Sequence, residues 1–136
     1  MTYSNKTMKL VFVCSPYRGD EKENTSNATK YCRLVAGCGY IPIAPYLFFP
    51  QFLNDSDEIQ RLKGIHMGLE LLKLCSQMWV FANEVTEGME LEIQKAKELD
   101  IPIQFMDKDM EGMVMTQKRI GSKLKSIIKD LNKNGR

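Results

Sequence analysis

Met78-Trp79-Val80-Phe81-Ala82-Asn83-Glu84-Val85-Thr86-Glu87-Gly88-Met89-Glu90-Leu91-Glu92-Ile93 is the stretch whose reading decides the fold. Its first four residues are a short apolar run and predict a buried strand, followed by a polar loop over residues 83–86. A helical pattern comes next, with Met89, Ile93 and Ala96 on one face. Thr86 is placed to cap that helix, and Glu87 and Glu90 sit in its first turns, where carboxylates suit the positive end of the dipole. Gly88 lets the backbone come close to a neighbour. Glu92 lies one turn beyond Gly88 and can project back toward the carboxyl end of the strand, the edge at which open α/β sheets bind ligands. By spacing alone, a solvated helix glutamate is the commoner reading of Glu92.

The whole chain, 136 residues with 43% hydrophobic residues, is expected to be one domain with one core. A net charge of +2 gives no reason to expect nucleic acid or a membrane surface as partner. No apolar run is long enough to span a bilayer, and the opening residues Met-Thr-Tyr-Ser-Asn-Lys-Thr carry no signal-peptide pattern; residues 1–7 are expected to be flexible. Four cysteines (Cys14, Cys32, Cys38 and Cys75) show no CxxC spacing and there is a single histidine, so no metal site or cofactor is expected. Reduced, mostly buried thiols in a cytoplasmic protein are the fitting picture.

Leu10-Val11-Phe12-Val13-Cys14 is a continuous apolar run suited to a central parallel strand. It ends in the turn-rich Ser15-Pro16-Tyr17-Arg18-Gly19-Asp20. A helix from Asn24 or Thr25 to about Ala36 follows, stopped by Gly37 and Gly39, and residues 40–44 form a second strand. Pro42 cannot donate to a ladder and assigns that strand to a sheet edge. Residues 45–53 read as an aromatic loop over a pocket, although Phe48, Phe49 and Phe52 fit a core seal equally well. Asp55 or Ser56 then starts a long helix with Ile59, Leu62, Ile65, Leu69 and Leu72 as its apolar stripe. His66 lies beside the stripe and is read as packed or partly exposed, not as a base. A last strand is expected over residues 101–105, and a basic amphipathic helix over residues 116–132 with a solvated basic face. Strands alternating with helices predict an α/β, flavodoxin-like (Rossmann-like) three-layer fold with a four- to five-stranded parallel sheet.

Three segments carry a resemblance: Ser15-Pro16-Tyr17-Arg18-Gly19 after the first strand, Ile43-Ala44-Pro45 after the second, and Thr86-x-Gly88-Met89-x-x-Glu92 after the third. Together they resemble the nucleoside 2-deoxyribosyltransferase superfamily, most of all a branch of small, largely uncharacterised bacterial and phage proteins. The likeness runs over residues 9–105. It implies an N-glycosidic reaction on a deoxynucleoside or its 5′-monophosphate, in a site often completed by a neighbouring subunit.

By that resemblance Glu92 is the nucleophile that attacks the anomeric carbon and holds the sugar as a covalent intermediate, as in retaining glycosidases. Tyr17 orients it or contacts the sugar. Ser15, Gly19, Pro45 and Met89 carry over as substrate-binding positions. Arg18 and the amides around Thr86 and Gly88 are expected to hold a 5′-phosphate, with a surface ion pair as the alternative for Arg18. The loop carrying Tyr46 and Phe48 is expected to stack on the base. One departure stands out: relatives place an aspartate that helps protonate the leaving base at the position that corresponds to Gly68, and a second acidic residue often seen just before the strand corresponds to Ser76. Loss of a general acid costs about two to four orders of magnitude in rate. A non-catalytic nucleotide-binding pocket, used for sensing or sequestration, is therefore the competing reading, and a carboxyl within reach of the base would favour the enzyme.

The apolar loop of residues 47–53 and the methionines near residues 110–115 are more than a monomer of this size leaves open. A homodimer or larger assembly is expected. Light scattering at micromolar concentration should give at least twice the 15.6 kDa chain mass; a monomer would contradict the expectation.

Overall fold

The protein is described from a computed structural model covering residues 7–82 and 84–106. The helix expected over residues 116–132, and all but the edges of the connection before it and of the N-terminal segment, lie outside the described residues.

Among the described residues the chain runs β1 (Leu10–Cys14), α1 (Glu21–Gly37), β2 (Ile41–Ile43), two 3-10 turns (Pro45–Leu47 and Phe49–Gln51), α2 (Glu58–Leu72), β3 (Gln77–Phe81), α3 (Glu87–Glu98) and β4 (Ile103–Met106). All the strands pair in parallel in the order β2-β1-β3-β4. This is a flavodoxin-like α/β arrangement. The continuous apolar runs of β1 and β3 lie at its centre, and β2, with Pro42, occupies an edge.

Alternation along the strands divides the core into two layers. Val11, Val13, Trp79 and Phe81 face α1, where Tyr31, Leu34 and Val35 cover them; the Tyr31 and Phe81 rings stack with centroids 4.3 Å apart. Phe12, Cys14, Met78 and Val80 face the other way and pack with Leu72 of α2 and with Met89, Ile93 and Ala96 of α3. In-register pairing of Phe12 with Met78 and Val13 with Trp79 keeps both faces continuous. Among the described residues, no helix is long and apolar enough to cross a membrane.

Two helix starts differ from the sequence reading. Helix α1 begins a turn early, because the Asp20 carboxylate accepts a hydrogen bond from the Glu23 amide at 3.1 Å and caps it. Asn24, expected near that cap, instead ties down the preceding loop. Helix α2 is capped by Asp57, not Asp55 or Ser56, through a 3.0 Å bond from the Ile59 amide. Its stripe is also only partly buried: Leu72 is sealed, whereas Ile59 and Leu62 are exposed. The reason is local. The C-terminal part of α2 packs on the sheet, while the 45–53 loop lies on the helix at Gly64 and Gly68, where an added Cβ would be in ordinary contact with Leu53 (3.4 Å) and Pro45 (3.5 Å).

Phe12 is fully buried at the centre of the α2/α3 layer. Phe12→Ala should lower unfolding free energy by about 3–5 kcal/mol in urea titrations, and a loss below about 1 kcal/mol would contradict this packing.

Candidate functional site

The chain leaves β1 for β2 on one side and returns to β3 on the other, so the carboxyl ends of β1 and β3 flank a topological switch point. The loop after β1 is held in place there. Asn24 donates its side-chain amide to the carbonyls of Tyr17 (3.0 Å) and Arg18 (3.3 Å), and Gly19 supplies the left-handed turn at φ +105°. Across the opening, the Tyr46 ring stacks on the Tyr17 ring, with centroids 5.2 Å apart and planes within 6°. On the third side Thr86 caps α3, its hydroxyl accepting from the Met89 amide at 3.2 Å.

These elements border a narrow cleft with about 50 Å³ of solvent-accessible space. Its walls are largely apolar: Tyr17, Pro45, Tyr46, Phe49, Pro50, Leu53 and Ile65, with Gly64, Gly68 and Gly88 where the backbone itself forms the surface. Three charged side chains reach it, Asp55, Arg61 and Glu92. An apolar cleft with a few convergent polar groups is the usual form of a small-molecule site.

Glu92 is the most constrained of them. The residue is only 6% exposed, so the solvated-surface reading does not hold. Burial pushes its carboxyl up to about 8, while hydrogen bonds from the Cys14 thiol and the Tyr46 hydroxyl pull in the opposite direction. Its Oε1 is buried without a hydrogen-bond partner among the described residues. The neighbours respond in turn: burial and then the Glu92 charge push both the Cys14 thiol and the Tyr46 hydroxyl up. A Cβ at Gly88 would lie 3.4 Å from the Tyr46 hydroxyl, in ordinary van der Waals contact.

Tyr17, Pro45, Tyr46, Gly88 and Glu92 thus share one cleft. The others fall around it. Ser15 is buried at the end of β1, and Met89 is fully buried in the core. Gly19 is an exposed turn residue. Arg18 lies in an ion pair with Asp55, Nε to Oδ2 at 3.2 Å, which ties the first loop to the segment before α2. Thr86 borders a second, more polar cleft on the α1 side, with Asn24, Asn27 and Glu84. Phe48 is 60% exposed, and it is Phe49 that contributes to the cleft wall. Tyr46, expected to stack on a base, presents its hydroxyl to Glu92 and its ring to Tyr17.

The model for the family described as "Domain of unknown function (DUF7768)" matches residues 9–106. The chain belongs to this family. The match extends from just before β1 to the end of β4, and so contains every element of the cleft. No curated protein matches the family member described here in sequence. Among solved structures it is similar to a 2-deoxyribosyltransferase from Bacillus psychrosaccharolyticus, with a TM-score of 0.60, 14% identity and 72% of each chain covered. At that identity the likeness is one of fold.

Sequence reasoning missed Asp55, Gln60 and Arg61 as cleft residues. Asp55 was read only as a possible helix start, and the polar Gln60-Arg61 pair lies beside the expected apolar stripe, where a solvated face is the ordinary reading.

The raised Glu92 carboxyl has a consequence for stability. Below about pH 4.5 it is protonated in both folded and unfolded chains. Between 4.5 and about 8 the unfolded chain ionises and the folded one does not, so stability falls as pH rises, by on the order of 5 kcal/mol, and levels off above. Urea titrations at pH 5 and pH 8.5 should show wild type losing several kcal/mol relative to Glu92→Gln; parallel behaviour would contradict the burial.

Proposed function

We propose that this protein cleaves or exchanges the N-glycosidic bond of a deoxynucleoside or its 5′-monophosphate through a covalent deoxyribosyl intermediate on Glu92. The observation that carries this reading is the buried Glu92 carboxyl, with an unpartnered oxygen, in an apolar cleft at the sheet's switch point. The fold shared with a 2-deoxyribosyltransferase adds an analogy.

In the proposed reaction one ionised oxygen of Glu92 forms a bond to the anomeric carbon. The carbon–nitrogen bond breaks, and its electron pair leaves with the base, which takes up a proton. Attack on the same carbon by water, or by the nitrogen of a second base, releases the Glu92 carboxylate. The Tyr46 hydroxyl faces that carboxylate and partly stabilises it, and the Cys14 thiol, whose hydrogen bond runs to the Met89 carbonyl at 3.9 Å, lies beside it. Tyr17 borders the sugar's side of the cleft, supported by Asn24.

The proton for the leaving base is where the position of Gly68 left a gap. Asp55 supplies a carboxyl to the same cleft from a different segment, held by Arg18. As the anion of that ion pair it is an acceptor, so we assign it the role of holding a water that delivers the proton to the leaving base, and its presence favours an enzyme over a non-catalytic nucleotide pocket. Arg18, already paired, is left as the anchor of Asp55. Glu87 and Glu90 in the first turn of α3 oppose a phosphate at that helix terminus. The exposed Phe48, Phe52, Ile59 and Leu62 are suited to being covered by a second copy of the chain.

Base release followed by chromatography tests the reading. Glu92→Gln should abolish it while leaving ligand binding largely intact, because the amide keeps shape but is not a nucleophile. Asp55→Asn should slow it about 10²–10⁴-fold for ordinary bases, and far less for a leaving group already activated. The wild-type kcat/KM should rise with pH toward about 8, where Glu92 ionises in the free protein. Binding without turnover in wild type would hand the site to the non-catalytic reading, and undiminished turnover by Glu92→Gln would remove Glu92 as nucleophile.

A further inference from the structure

The charged groups of the cleft can be accounted for one by one. Asp55 is answered by Arg18 at 3.2 Å. Gln60, the neutral polar neighbour, is engaged at both ends: its Oε1 accepts from the Asn54 amide at 2.8 Å and its Nε2 donates to Asp57 at 3.2 Å. Two groups remain. One is Glu92, with its unpartnered oxygen. The other is Arg61, whose side chain is only 19% exposed and whose one ion-pair partner among the described residues is Glu58, itself 73% exposed and 3.8 Å away, beyond hydrogen-bond distance. A guanidinium has five donors. Here its side chain is partly withdrawn from water, borders the cleft and makes no close ion pair among the described residues.

A ligand that fills the cleft therefore has to satisfy two unlike ends. Glu92 stands at the end where α3 and Gly88 form the wall. Arg61 comes to the wall from the first turn of α2, one turn before Gly64, which faces Leu53. On the proposed reading, with Glu92 at the anomeric carbon, the flat base lies against the apolar wall and its outer edge faces Arg61. A guanidinium fork pairs best with two adjacent acceptors. Among the purines, guanine and hypoxanthine present such a pair, O6 and N7, whereas adenine offers a donor beside its N7.

We infer that Arg61 is a specificity-determining residue that selects a 6-oxopurine base by donating to its paired acceptors. This rests on the proposed function for the position of the base, and extends it by naming the base class. Phosphate recognition by Arg61 is the main competitor, and it is disfavoured because a 5′-phosphate projects from the sugar, away from the base side.

Calorimetry on the full-length Glu92→Gln protein tests this without requiring turnover, using 2′-deoxyguanosine, 2′-deoxyinosine, 2′-deoxyadenosine and their 5′-monophosphates. The parent should favour the two oxopurines over deoxyadenosine. Arg61→Ala should weaken the oxopurines about 10- to 100-fold and deoxyadenosine less than about threefold. Arg61→Lys, which keeps the charge and loses the fork, should lose most of the preference too. Thermal melts of both variants should match the parent, and if Arg61→Ala melts early, Arg61→Lys decides alone. Equal weakening of all three nucleosides, or a loss confined to the monophosphates whatever their base, would overturn the inference. Failure of the parent to bind any of the six compounds would instead sink the underlying functional reading.

Discussion

A carboxyl group buried beside the carboxyl ends of two central strands is the constraint on which the rest of the site depends. Glu92 is withdrawn from water, and its burial raises its proton affinity far more than its two donors lower it. Such a group is a standing cost to folding. The surrounding structure has to offset it with the two sealed apolar layers on either side of the sheet. Two neighbouring features shape its surroundings: the Thr86 cap fixes where α3 begins, and the Tyr17–Tyr46 stack holds the Tyr46 hydroxyl in place.

The same arrangement explains why the first loop is built as it is. Tyr17 sits on irregular backbone, yet Asn24 fastens two successive carbonyls of that backbone to the first turn of α1. The Arg18–Asp55 pair then joins this loop to the segment before α2. A partly exposed pair of this kind adds little to stability. Its consequence is geometric, since it brings a second carboxyl into the cleft from a part of the chain far from Glu92 in sequence.

The features legible in the sequence were those set by short-range chemistry. A continuous apolar run identified β1 as a central strand, Pro42 sent β2 to an edge, and Thr86 capped α3 where its hydroxyl could reach an amide three residues on. Less legible were features decided by contacts between distant segments. Ile59 and Leu62 follow a helical apolar period yet stay exposed, because the first part of α2 borders the cleft and not the sheet. Phe48 and Phe49 are neighbours of like chemistry, and only the 3-10 turns of the loop determine which one meets the cleft. The burial of Glu92 was ambiguous from spacing for the same reason: helix periodicity gives its face, and the loops around it give its solvent access. Asp55 and Arg61 carried no local signal, since their roles arise from what the fold brings opposite them.

The central physical claim is that Glu92 is a buried carboxyl held mostly protonated at neutral pH in the ligand-free protein. Carbon-13 NMR titration of glutamate-labelled protein, with Glu92→Gln to assign the resonance, measures this directly. The account predicts one side-chain carboxyl with a midpoint near pH 8, absent from the variant. A Glu92 resonance that titrates near 4.5, with the other glutamates, would contradict it.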